Sequence, residues 1–172
     1  MKHAILTLTA ALLIGATGCR TAQGWLGKES PPGVVGTWAY DDNEFGIVRD
    51  WAAHQLAPGD AAFLERVRQI PPPTVYLKKT RTVHNGVPYI LHKDAGQVVA
   101  VYDRRWEAVF FPANDANTAP HPYILRADGI ARAHEALHYI EHMLGRPFNA
   151  DHIGPLFVRP WRSLAQMQRE TP

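Results

Sequence analysis

The chain has 172 residues, with 18 Lys and Arg against 16 Asp and Glu, a formal net charge of +2, and 46% hydrophobic residues. That near balance, with no run of lysine and arginine, argues against an electrostatic nucleic-acid groove. The length permits one domain with a real core, and a single cysteine excludes an intrachain disulfide.

The N-terminus reads as an export signal. Lys2 and His3 precede an apolar run over residues 4–14, small residues follow, and Cys19 closes the segment. The run is too short to span a bilayer and has the layout of a secretory signal peptide. Its end, Gly15-Ala16-Thr17-Gly18-Cys19, resembles a bacterial lipobox, with Ala16 where leucine is usual. The resemblance implies cleavage before Cys19 and lipidation of that cysteine. With Arg20 rather than aspartate next, it also implies the periplasmic side of the outer membrane in a diderm host. Acyl chains would supply the anchor at about 0.8 kcal/mol per buried methylene. We therefore divide the chain into a signal peptide (1–18), a lipidated tether rich in Gly, Ser and Pro (19–36) and a functional domain (37–172).

Asp60 is placed to cap a short helix that carries Phe63, Leu64, Val67 and Ile70 on one face and stops at Pro71-Pro72-Pro73. Residues 74–78 read as a strand. Residues 83–91 read as a hairpin around Asn85-Gly86, with Pro88 marking an edge or a break. Residues 97–102 and 106–111 read as two further strands joined by Asp103-Arg104-Arg105. A loop then runs to Tyr123, and a final short helix is expected over 161–169. These strands precede a helix bearing His134-Glu135-Ala136-Leu137-His138, and the arrangement resembles a small α+β, zincin-like domain, an antiparallel sheet followed by a metal-binding helix.

That helix carries His134-Glu135-Ala136-Leu137-His138, an HExxH motif. Residues four apart on a helix lie one turn above each other, so both imidazoles can share one metal ion. The intervening glutamate then lies beside the ion as a general base. Asp128 is the expected N-cap, and Gly145-Arg146-Pro147 the stop. Ile130, Ala133, Leu137, Ile140 and Leu144 form the apolar stripe, with the histidines beside it. Arg132, Ala136, Tyr139 and Met143 take the far side. A hydrolytic zinc site needs a third protein ligand. His142 is about 12 Å along the axis from His134 and reads as a solvated C-terminal histidine. Glu141 reads as a residue that orients an imidazole from behind.

The run after the motif, HEALHYIEHMLGRPFNADHIGPLF over residues 134–157, resembles the SprT-like (Spartan-type) zinc metalloproteases. In those, HExxH is followed by a third zinc histidine in a His-Gly-Pro-x-Phe-like segment. Here the segment is His152-Ile153-Gly154-Pro155-Leu156-Phe157, with Ile153 inserted relative to that pattern. The resemblance implies His134, His138 and His152 as zinc ligands and Glu135 as general base. Asp151 is the alternative third ligand, as in aspzincin-type peptidases, followed by Glu141 or Glu170. A polar loop with Asn149 as turn former is the plainer reading of this stretch.

These features predict a lipid-anchored zinc peptidase of the bacterial envelope, acting on a protein or peptide, with peptidoglycan peptide equally open as substrate. The alternative is a structural or binding lipoprotein, with or without a structural metal. In zincins an extended substrate adds to a strand edge, for which 106–111 is the candidate, although a plain core strand is the preferred reading of those residues. Tyr123, Tyr139 and His121 are candidate donors to an oxyanion. Trp25, Trp38, Trp51, Trp106 and Trp161 read as packing residues.

Overall fold

Two apolar segments, β2 (Thr74–Lys78) and β7 (Ala108–Pro112), form the centre of the fold. β7 is apolar throughout and β2 across its buried centre, Val75-Tyr76-Leu77, because both of their faces are covered there. Val75, Leu77, Val109 and Phe111 point into the main core, while Tyr76, Ala108 and Phe110 enter a second, smaller one. A computed structural model describes residues 30–172, and the signal peptide, Cys19 and most of the tether lie outside the described residues.

Around this pair the chain builds an α+β domain. β1 (Val34–Trp38) pairs with β2, and β6 (Val101–Asp103) pairs with β7, giving the order β1-β2-β7-β6. A second sheet is made of β3 (Thr82–His84), β4 (Val87–His92) and β5 (Gly96–Val98), and Ile90 packs it against Tyr76 and Phe110. Every strand pair is antiparallel except β2–β7, which is parallel. The long excursion between those two strands permits a crossover that a tight hairpin would forbid.

The Asn85-Gly86 hairpin forms as expected, both residues having positive φ. Pro88 sits where β4 has a partner on one side only, since β5 begins pairing at Ile90. Three expectations are corrected. Residues 97–102 are not one strand, because the chain breaks at Val99-Ala100 and passes from one sheet to the other. Trp106 belongs to the turn before β7, whose strand starts at Ala108. The ordered sheet also begins at Val34, inside the stretch read as tether.

The helices cover the other face of the larger sheet. They are α1 (Asp42–Leu56), α2 (Ala61–Arg68), α3 (Ile130–Met143) and α4 (Leu164–Glu170). Asp60 caps α2 by accepting from the Phe63 amide, as expected. α1 is an element that the patterns above do not name. Its signals were present all the same: Asp41 accepts from the Glu44 amide at 2.8 Å, and Phe45, Val48 and Ala52 are fully buried at helical spacing.

α1 also changes the meaning of α3. The far side of α3 is not solvent, because α1 lies against it. Phe45 packs on Tyr139 at 6.1 Å between ring centres, and Arg132, only 4% exposed, pairs with Glu44 at 2.6 Å. Of the four residues on that side, Met143 alone is exposed. A helix covered on nearly every side holds its histidines in a fixed direction.

Both ends of α3 are firmly stopped. The Gly145 amide bonds to the His142 carbonyl and the Arg146 amide to that of Glu141, each at 2.9 Å. With Gly145 at φ +71°, this is a Schellman motif. At the other end the N-cap is Gly129 rather than Asp128, whose carboxylate instead accepts from the Ile130 amide. Gly129 has φ +63°, and a Cβ there would lie 2.2 Å from Leu164 Cδ1 on α4. Gly129→Ala therefore combines left-handed strain with overpacking, and we expect it to cost about 2–4 kcal/mol. Urea unfolding checks this, and an unchanged midpoint would show that α4 gives way freely.

Candidate metal centre

His134 and His138 occupy consecutive turns of α3, and their ring centres are 4.9 Å apart. The third imidazole comes from the loop after the Schellman stop. His152 Nε2 lies 3.1 Å from His134 Nε2 and 3.0 Å from His138 Nε2. The three imidazoles thus lie close enough together to hold one metal ion.

The loop delivers His152 by a local device. The Asn149 side chain clasps the Ile153 backbone, accepting from its N–H at 2.9 Å and donating to its carbonyl at 2.6 Å. Inside that clasp His152 takes φ +54°, a conformation uncommon for a residue with a Cβ. The residue inserted relative to the SprT-like pattern, Ile153, is absorbed there with its side chain 74% exposed, and His152 keeps its place in the triad. Asn149 is indeed the turn former, and the turn it forms presents the histidine.

Three nitrogens converging in this way are poorly served by hydrogen bonds alone. His152 Nε2 faces two other ring nitrogens, yet a neutral imidazole offers one proton or one lone pair at that atom. One cation accepting three lone pairs would satisfy all of them. The protonation equilibria point the same way. Burial first, then neighbouring charges, lowers His134 to about 4 and His138 to about 3, and burial also lowers His152. At neutral pH all three rings therefore present lone pairs.

Aromatic rings supply that burial. Phe157 stacks on His138 at 4.5 Å and stands edge-on to His152 at 5.2 Å. Trp161 lies 4.7 Å from His134 and 5.4 Å from His152, so a residue read as packing lines the site. Its position depends on the chain returning after α3, which no local pattern announces.

Glu135 is 6% exposed and lines a cleft of about 360 Å³ together with His134, His152, Tyr123 and Trp161. Burial raises its carboxyl to about 8, against a smaller opposing effect of the Tyr102 backbone amide. A second cleft, of about 420 Å³, opens on the other side, lined by His138, His152, Phe148 and the β6 residues. Val99 and Ala100 border the first cleft and residues 101–103 the second, so the sheet's free edge passes the triad. The edge strand is β6. β7, the candidate among residues 106–111, is central and buried along its whole length. A hollow of similar size between α1 and α2 touches none of these residues.

The other sequence candidates are placed as follows. Asp151 is exposed and outside the cluster. Glu170 accepts from Trp51 and Arg162 instead. His142 accepts from Arg104 Nε at 2.9 Å and packs against Tyr102 rather than lying free in solvent. Glu141 is buried, burial raises its carboxyl, and its Oε2 has no hydrogen-bond partner among the described residues. His138 Nδ1, one turn earlier, is likewise buried without a partner. Of the three oxyanion candidates Tyr123 borders the cleft, Tyr139 is buried against α1, and His121 accepts from the Tyr123 amide. The chain matches no family model, no curated protein and no solved structure.

Proposed function

We propose that this domain is a zinc-dependent peptidase of the bacterial envelope, anchored through a lipidated Cys19. The observation that carries the hydrolytic reading is the convergence of three imidazoles beside a buried glutamate, between two open clefts. Three nitrogens around a zinc ion at about 2.0–2.1 Å would stand about 3.3 Å apart. The separations of 3.0 and 3.1 Å to His152 are close to that. Zinc is favoured over calcium or magnesium because the donors are all imidazole. No fourth His, Cys, Asp or Glu joins the cluster among the described residues, which favours a hydrolytic site over a closed structural one.

Zinc bound there would polarise a substrate carbonyl and increase the acidity of a water molecule. Glu135 would take the proton from the attacking water and pass it to the leaving amine. Positive charge among the imidazoles would draw its carboxyl down from about 8 toward the value a general base needs. Tyr123, at the cleft border, is the preferred donor to the developing oxyanion. The outer edge of β6 and of Val99-Ala100 before it, apart from the Tyr102 amide that faces Glu135, would align an extended peptide across both clefts. Peptide in protein and peptide in peptidoglycan both fit this reading. Its test is zinc content, followed by hydrolysis of a quenched peptide library by the zinc-loaded chain. One zinc per chain with cleavage that a chelator abolishes is expected, and a metal-free chain with no cleavage would refute it.

A further inference from the structure

We propose that Arg159 is a specificity-determining residue that receives a carboxylate of the substrate beside the triad. The proposal rests on the hydrolytic reading above and adds a substrate class to it: peptides with a negative charge close to the scissile bond.

The guanidinium carbon of Arg159 stands 5.0 Å from the centre of the Trp161 ring, and that ring lies against both His134 and His152. Its charge is felt at both imidazoles, where it adds to the dominant effect of burial. The neighbouring arginines are otherwise engaged. Arg126, on the cleft wall that Trp161 also lines, pairs with Asp128 at 3.2 Å. Arg162 holds Glu170 at 2.8 Å, Arg105 holds Asp103 and Asp94, and Arg104 donates to His142. Arg159 is exposed and has no carboxylate within 4.0 Å among the described residues.

The contact with Trp161 bears on why such a residue would select charge. An aromatic ring covers the face of a guanidinium and leaves its in-plane N–H donors free. Those donors form the fork that a carboxylate fits bidentately. Trp161 attracts the guanidinium without using any of its N–H donors. A neutral substrate group would gain little there, because it can displace the water on the fork but cannot neutralise its charge. Two sources of carboxylate suit the position: an aspartate or glutamate side chain near the cleaved bond, or the free C-terminus of a short peptide.

The experiment uses the zinc-loaded full chain in detergent and matched peptide sets: acidic against amide side chains, and free-acid against amidated C-termini. We expect kcat/KM to be about 10- to 100-fold higher for one acidic set than for its neutral partner, the set identifying the source. Arg159→Ala should remove that preference by lowering rates on acidic peptides far more than on their neutral partners, and should retain the metal; Arg159→Lys should restore the preference only in part. Equal rates on matched pairs, equal losses on both, or loss of metal in Arg159→Ala would each overturn the proposal. A second measurement separates it from the peptidase reading. The cobalt-loaded chain is titrated with N-acetylglycine, N-acetylglutamate α-amide and N-acetylglutamine amide, and the absorption spectrum is followed. If no peptide is cut but a carboxylate perturbs the spectrum at least about 10-fold more tightly in wild type than in Arg159→Ala, the peptidase reading fails and the carboxylate site stands. If the variant and the wild type respond alike, the carboxylate site fails.

Discussion

Replacing His152 is expected to release the metal. Wild-type chain should carry one zinc. His152→Asn and His152→Ala should each weaken zinc binding well beyond the 10- to 100-fold typical of losing an outer hydrogen-bond partner. The asparagine variant matters because His152 has φ +54°, which asparagine tolerates and alanine does not. Loss of metal in both variants with an unchanged far-ultraviolet spectrum assigns the effect to the missing imidazole rather than to a collapsed loop. Asp151→Ala should keep its zinc, since Asp151 is exposed and outside the cluster. A His152→Asn chain that retains stoichiometric zinc, alongside an Asp151→Ala chain that loses it, would transfer the third position to the aspartate.

Glu135→Gln should retain zinc and lose hydrolysis by at least about 100-fold, the usual contribution of a positioned general base. Metal content and kcat on the same preparation check this, and undiminished turnover would refute the assignment. The substitution has a second consequence in the metal-free chain. Burial raises the folded carboxyl from 4.5 to about 8, so the folded state holds a proton that the unfolded state has released across that interval. The contribution of Glu135 to the stability of the metal-free wild type must then fall as pH rises from 4.5 to 8. Glutamine has no such titration. Metal-free Glu135→Gln should therefore match wild type near pH 4.5 and exceed it at pH 8 and above, by a few kcal/mol as an order of magnitude. The three histidines also change stability with pH, but they are common to both chains and cancel in the difference. Thermal melts at both pH values measure it, and parallel pH dependence in the two chains would mean that Glu135 ionises freely.

The legibility of the site followed the range of the interactions that build it. His134, Glu135 and His138 were readable because one helical turn fixes their mutual position whatever lies around them. The stop at Gly145 was readable because the Schellman bonds involve neighbouring residues only. His152 was reachable only through a resemblance with one residue out of register, since the Asn149 clasp that absorbs Ile153 has no separate signature. α1 went unnamed although Asp41 and Glu44 mark its start, and with it went the covering of the far side of α3.

What the sequence determined by itself, then, is local: the turn of α3 that sets His134 above His138, its stop, the Asp60 cap, the Asn85-Gly86 hairpin and the α+β order of elements. Each depends on backbone geometry within about four residues, and residue type reports that geometry directly. The tertiary structure decided the rest. It made β2 and β7 parallel and central, left β6 at one edge of the sheet, and brought Phe157 and Trp161 back against the histidines of HExxH, with Arg159 beside Trp161. Those placements depend on which faces are covered by segments distant in the chain, and burial of that kind leaves no periodic trace in the residues it brings together.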